Sequence, residues 1–135
     1  MYKIGILITM IFLLISCNEN IDIITDHESV IINNSLYNKT TTSNYTITEA
    51  ILNENLLTLK ISSSGCDGNS WKAVLIDANI VLESYPVQRN IKLSLENNEA
   101  CLAFFEQEYT FDISNLKEGY SDIILNLEGW NTQIN

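Results

Sequence analysis

Apolar side chains at every second position dominate this chain beyond residue 45 and restrict it to β-structure. Leu57, Leu59 and Ile61 alternate with Thr58, Lys60 and Ser62, and Ile91, Leu93 and Leu95 with Lys92 and Ser94. Ile123, Leu125 and Leu127 alternate with Asp122, Asn126 and Glu128, Ile124 being the exception. Successive side chains of a strand point to opposite faces, so each set predicts one face in a core and one in water. Residues 71–76, Lys72 apart, and 101–105 form apolar runs that predict central strands covered on both faces. Turn formers gather at 62–70, at Asn97 and Asn98, at 114–119 and at Gly129. This punctuation leaves about six or seven short strands. The expected fold is all-β, a small antiparallel β-sandwich or barrel. Residues 113–118 allow a single helical turn, capped by Ser114.

The N-terminus follows a different pattern. Lys3 precedes an apolar stretch over residues 4–15 interrupted only by Gly5 and Thr9. A helix needs ~20 apolar residues to span a bilayer, so this stretch fits the hydrophobic region of a signal peptide and not an anchor. Leu14, Ile15, Ser16 and Cys17 then resemble the lipobox of bacterial lipoproteins, in which a small residue precedes a cysteine. The resemblance implies cleavage after Ser16, alkylation of the Cys17 thiol with diacylglycerol, and membrane attachment through that lipid. Several acyl chains, at ~0.8 kcal/mol per buried CH₂, hold far more firmly than one. Asn18, where an Asp would signal retention, implies export to the outer membrane by the same resemblance, on its periplasmic or its surface face.

Three segments follow from this: a signal peptide over 1–16, a lipid-anchored tether over 17–43 and a β domain over 44–135. The tether is rich in Asn, Thr, Ser and Asp and has no Gly or Pro, which predicts a largely extended chain. Two apolar patches interrupt it, Ile21 with Ile23 and Ile24, and Val30 with Ile31 and Ile32. One of them is expected to dock on the domain as a strand. All 17 acidic residues lie after Cys17, and cleavage removes Lys3 from the seven Lys and Arg. Such a balance opposes binding to nucleic acid or anionic headgroups, which reward clustered cations.

Once Cys17 carries lipid, Cys66 and Cys101 are the two cysteines left, and an even pair in an exported chain reads as a disulfide. Closing a loop of this length contributes roughly 3–4 kcal/mol in the chain-entropy description. The glycine-rich segment 62–70 makes Asp67, Asn69 and the adjacent Trp71 the candidate binding residues. Asp67, Gly68 and Asn69 lack the alternating carboxylates of a calcium loop, and no metal or cofactor site is expected. His27, the single histidine, falls in the tether beside Asp26 and Glu28, away from any nucleophile it could activate. Glu106, Glu108 and Asp112 place carboxylates near Tyr109 and Phe111. Glycoside hydrolysis uses paired carboxylates ~5–9.5 Å apart, but an i, i+2 pair on a strand is also the pattern of a solvated face. No catalytic residue is assigned.

The segments around Gly65 to Trp71, Ile91 to Leu95, Ala100 to Ala103, Phe111 to Ile113 and Ile124 to Trp130 resemble a group of small uncharacterised Bacteroidota lipoproteins. The resemblance implies one domain and one disulfide, and no activity comes with it. The expected function is a non-enzymatic binding or structural module of the envelope, with a protein or glycan partner. The alternative is an inhibitor or immunity-type lipoprotein acting on a secreted enzyme, with loop 65–70 as a rigid wedge. The anchor is directly testable: Cys17→Ser should abolish incorporation of labelled palmitate and move the protein out of the membrane fraction. Unchanged labelling would place the lipid elsewhere.

Overall fold

The computed structural model describes residues 27–135. The expected signal peptide, Cys17 and the patch of Ile21, Ile23 and Ile24 lie outside the described residues. Eight strands form two four-stranded sheets. One sheet has the order β1-β7-β4-β3, with β1 at Glu28–Ser29, β7 at Ala103–Asp112, β4 at Leu56–Gly65 and β3 at Thr46–Asn53. The other has the order β2-β5-β6-β8, with β2 at Ile31–Ile32, β5 at Lys72–Leu82, β6 at Val87–Glu96 and β8 at Ile123–Leu127. A short helix, α1 (Asn34–Lys39), packs on β5. The all-β sandwich is thus as expected, and no barrel closes. The pairing is not purely antiparallel, because β1 with β7, β2 with β5 and β6 with β8 run parallel.

All three alternating sets point inward. Leu57, Leu59, Ile61, Ile91, Leu93 and Leu125 are fully buried in one apolar cluster between the sheets. The run at 71–76 behaves as a covered strand: Leu75 faces the cluster, and Ile76, outside that cluster, is buried as well. The run at 101–105 does not. Leu102 is 88% exposed and Phe104 77% exposed, so the expectation of a strand buried on both faces fails there. Nothing among the described residues covers the outer face of β7 at this end, and an apolar run cannot by itself reveal which face is covered.

The domain also begins earlier than residue 44. β1 pairs with the edge of β7 and β2 with the edge of β5, while Val30 between them is buried in the core. Asn115 Nδ2 donates to the Val30 carbonyl (2.7 Å) and the Asn33 amide to the Asp77 carbonyl (3.0 Å). The expected tether is therefore part of the sandwich from Glu28 onward, since burying Val30 and pairing two open edges outweighs a polar composition. Two smaller boundaries shift as well. β4 runs through the serines to Gly65, because buried Ser63 satisfies its hydroxyl on the Asn44 carbonyl (2.6 Å). The turn after β7 is a 3-10 helix over Ser114–Leu116, and its Ser114 amide is held by Asp112 Oδ1 (2.8 Å), not capped by the Ser114 side chain.

One ion pair lies inside the apolar cluster's end. Asp77 is fully buried, and Arg89 Nε and Nη2 donate to its Oδ2 (3.0 Å) and Oδ1 (2.6 Å). It sits where the β5–β6 register slips between Asp77 and Val81, and Asp77 Oδ1 also accepts from the Asn79 amide (2.7 Å) of that bulge. Removing one partner strands a buried charge, which costs about 3–5 kcal/mol, whereas replacing both with apolar groups is often neutral. Arg89→Met should thus lose about 3–5 kcal/mol in urea unfolding, and Asp77→Leu/Arg89→Met should recover most of it. A double variant as unstable as the single one would show that the bulge depends on the charges themselves.

Candidate functional site

At one end of the sandwich the β4–β7 pairing finishes at Gly65 and Ala103, and the chain on either side carries Cys66 and Cys101. They are bonded to each other, with 4.8 Å between their Cα atoms. The bridge expected from the sequence therefore pins the β4–β5 loop to the start of β7.

Glu99 holds the same loop from within. Its Oε2 accepts from the backbone amides of Cys66, Asp67 (3.1 Å) and Gly68 (3.1 Å), and its Oε1 from Ser70 Oγ (2.7 Å). Successive amides turned to one side form a concave cradle for an anion. Gly68 has φ 74, and Gly65 is packed so closely that a Cβ there would run into the Glu99 carboxylate and the Trp71 ring. These bonds, first that from Ser70 and then those from the amides, pull the Glu99 pKa down to about 2. The 97–99 turn is itself fixed, with the Glu99 amide on Asn97 Oδ1 (3.0 Å) and Asn97 Nδ2 on the Ser64 carbonyl (2.8 Å).

The predicted binding residues separate. Asp67 and Asn69 are exposed at the loop tip, and Asp67 Oδ1 accepts from the Asn69 amide (2.9 Å). Trp71 is only 5% exposed and belongs to the apolar cluster, so its ring face is not available for stacking on a ligand. Its place is taken by Leu102 and Phe104, which the sequence had assigned to the interior. Phe104 walls a hollow of about 370 Å³ with Ser43, Thr46, Ser62, Ser64 and Asn97. Much of the polar lining is already spent on the fold, Asn44 Nδ2 on the Leu95 carbonyl (2.9 Å) and Tyr45 OH on the Leu93 carbonyl (2.7 Å). Glu99 carried no sequence signal beyond lying in a turn near Cys101. Three amides in a row on the 66–68 loop demand an acceptor, but nothing in the sequence names it.

The carboxylates of β7 lie in different surroundings. Glu106 and Glu108 are exposed and paired in register with Ser62 and Lys60 of β4. Asp112 is held by Ser114, first through its amide and then its hydroxyl, and its pKa is lowered accordingly. His27 borders a groove of about 530 Å³ along β5 and β7, together with Trp71, Lys72, Glu108 and Tyr109. Among the described residues, no three His, Cys, Asp or Glu side chains are placed to share a metal ion.

No family model matches the chain, and no curated protein matches it. Among solved structures, it is similar to a crystal structure of a protein of unknown function, DUF1344, from Bacteroides vulgatus. That likeness has a TM-score of 0.54 at 10% identity, covering 79% of this chain and 55% of the other. The chain thus spans little more than half of that protein's length, and the likeness is one of fold.

The charge on Glu99 gives the loop a pH signature. A carboxylate whose pKa is depressed by folding stabilises the native state above its ordinary pKa, and that stabilisation fades as pH falls toward the folded value. Glu99→Gln should lower the thermal midpoint at pH 7, with the gap from wild type closing from about pH 4.5 down to about pH 2. A gap independent of pH would show that the hydrogen bonds, and not the ionised carboxylate, hold the loop.

Proposed function

We propose that this protein is a non-enzymatic binding module of the bacterial envelope, tethered through lipid on Cys17 and engaging a protein partner at its disulfide-bonded end. The observation that carries this reading is the exposure of Leu102 (88%) and Phe104 (77%) beside a loop that is already fixed. Full burial of such side chains is worth about 1.5–3 kcal/mol each, and monomers seldom leave large apolar groups side by side in water without use for them. Leu102 sits next to the bridge, and β7 pairing to β4 sets the Phe104 backbone. Little conformational freedom is then left to lose on binding, and pre-organisation of this kind raises affinity.

Absence of turnover is part of the proposal. Its support is that Glu106 and Glu108 stand side by side on an exposed face and do not confront each other across a cleft. An inhibitory role toward a secreted enzyme is the narrower form of the same reading. It is favoured by the 66–70 loop, which one disulfide and four hydrogen bonds to Glu99 turn into a stiff wedge.

Envelope extract passed over the immobilised lipoprotein should yield one stoichiometric partner. Phe104→Ala should weaken its binding by roughly 30-fold, as loss of an interfacial anchor worth ~2 kcal/mol does. The thermal midpoint should stay unchanged, because the ring is outside the core. Equal capture by Leu102→Ala/Phe104→Ala would place the partner surface elsewhere.

A further inference from the structure

The opposite end of the sandwich holds a second hollow, independent of the disulfide-bonded tip. β6 and β8 are parallel and their pairing opens at Val87 and Ile123. Tyr85 and Pro86 before one strand, and Tyr120, Ser121 and Asp122 before the other, therefore leave the sheet side by side. They bound a space of about 240 Å³. Tyr85 is 99% exposed and Tyr120 41%, and neither ring belongs to the apolar cluster. Gly119, at φ 84, shapes the turn that delivers Tyr120, and nothing lies within 4 Å of where its Cβ would be.

The lining selects a ligand by charge. It contains one carboxylate, Asp122, whose Oδ2 accepts from Ser121 Oγ (3.0 Å), and no Lys or Arg. The neighbouring Lys117 is turned to the Glu54 carbonyl (2.7 Å). An anion would meet repulsion from Asp122 and find no cationic side chain in the lining. A neutral sugar would hydrogen-bond Asp122 but leave its charge uncompensated, and an apolar group would desolvate Asp122 without a partner. A cation gains from the Asp122 carboxylate, and further where it meets the face of either exposed tyrosine ring, since aromatic faces carry negative potential. The formal net charge of −10 draws in the same sign. The volume is smaller than that of a drug-sized pocket, so it suits a headgroup and not an extended ligand.

We infer that the hollow between Tyr85 and Tyr120 binds an organic cation, an alkylammonium or guanidinium group, against the Asp122 carboxylate. The group belongs either to a free small molecule or to a Lys or Arg side chain of a partner.

The test is an NMR titration of the detergent-solubilised lipoprotein with choline, with its uncharged isostere 3,3-dimethyl-1-butanol, with maltose and with acetyl-arginine amide. Choline or the arginine derivative should shift the Tyr85 and Tyr120 ring signals saturably. Tighter binding of choline points to a free cation, and tighter binding of the arginine derivative to a partner's side chain. Tyr85→Ala and Tyr120→Ala should each weaken binding about two- to five-fold. The double variant and Asp122→Asn should reduce it further without moving the thermal midpoint. Equal binding of the uncharged isostere, preferential binding of maltose, or binding retained by the double variant would overturn the inference.

Discussion

The structure depends on two apolar surfaces closing against each other. Each sheet contributes alternate side chains, Leu57, Leu59 and Ile61 from one and Ile91, Leu93 and Leu125 from the other, and together they exclude water along the length of the sandwich. Connections, caps and surface loops are subordinate to that contact. Among the described residues the chain changes sheet five times, between β1 and β2, β2 and β3, β4 and β5, β6 and β7, and β7 and β8. Two polar side chains that enter this interior are paired there, whereas the buried Trp71 Nε1 has no partner among the described residues. Asp77 meets Arg89 through two bonds, and Ser63 finds a carbonyl.

The sandwich was legible in the sequence because a period of two is a direct statement about faces. Leu57 to Ile61 and Ile91 to Leu95 could hardly be placed otherwise. What was not legible depends on contacts between distant segments. Val30, Ile31 and Ile32 read as one of two tether patches able to dock as a strand, and only the edges of β5 and β7 show which one and where. Leu102 and Phe104 read as buried because hydrophobicity was the only clue, and the outer face of β7 turned out to be open. Trp71 read as a loop aromatic and proved to be a core residue packed over Gly65.

The candidate site shows a similar division. The pairing of Cys66 with Cys101 followed from cysteine number and export alone, whereas the second fastening of the same loop, by Glu99, required the geometry. The cradle formed by the amides of 66–68 could in principle receive an external anion. Here an internal carboxylate fills it, so the loop is braced from within. The exposed apolar pair and the exposed tyrosines lie at opposite ends of the sandwich.

The crossing at Val30 also has a mechanical side. A pull on the chain ahead of His27 reaches the domain through β1 and β2, which engage β7 of one sheet and β5 of the other within five residues. β1 lies between that terminus and β2, so its contacts with β7 take a load first and those of β2 with β5 after them. Val30, seated between the sheets, resists the same displacement by steric interlock. A tug on this terminus is met by one layer and then, within five residues, by the other.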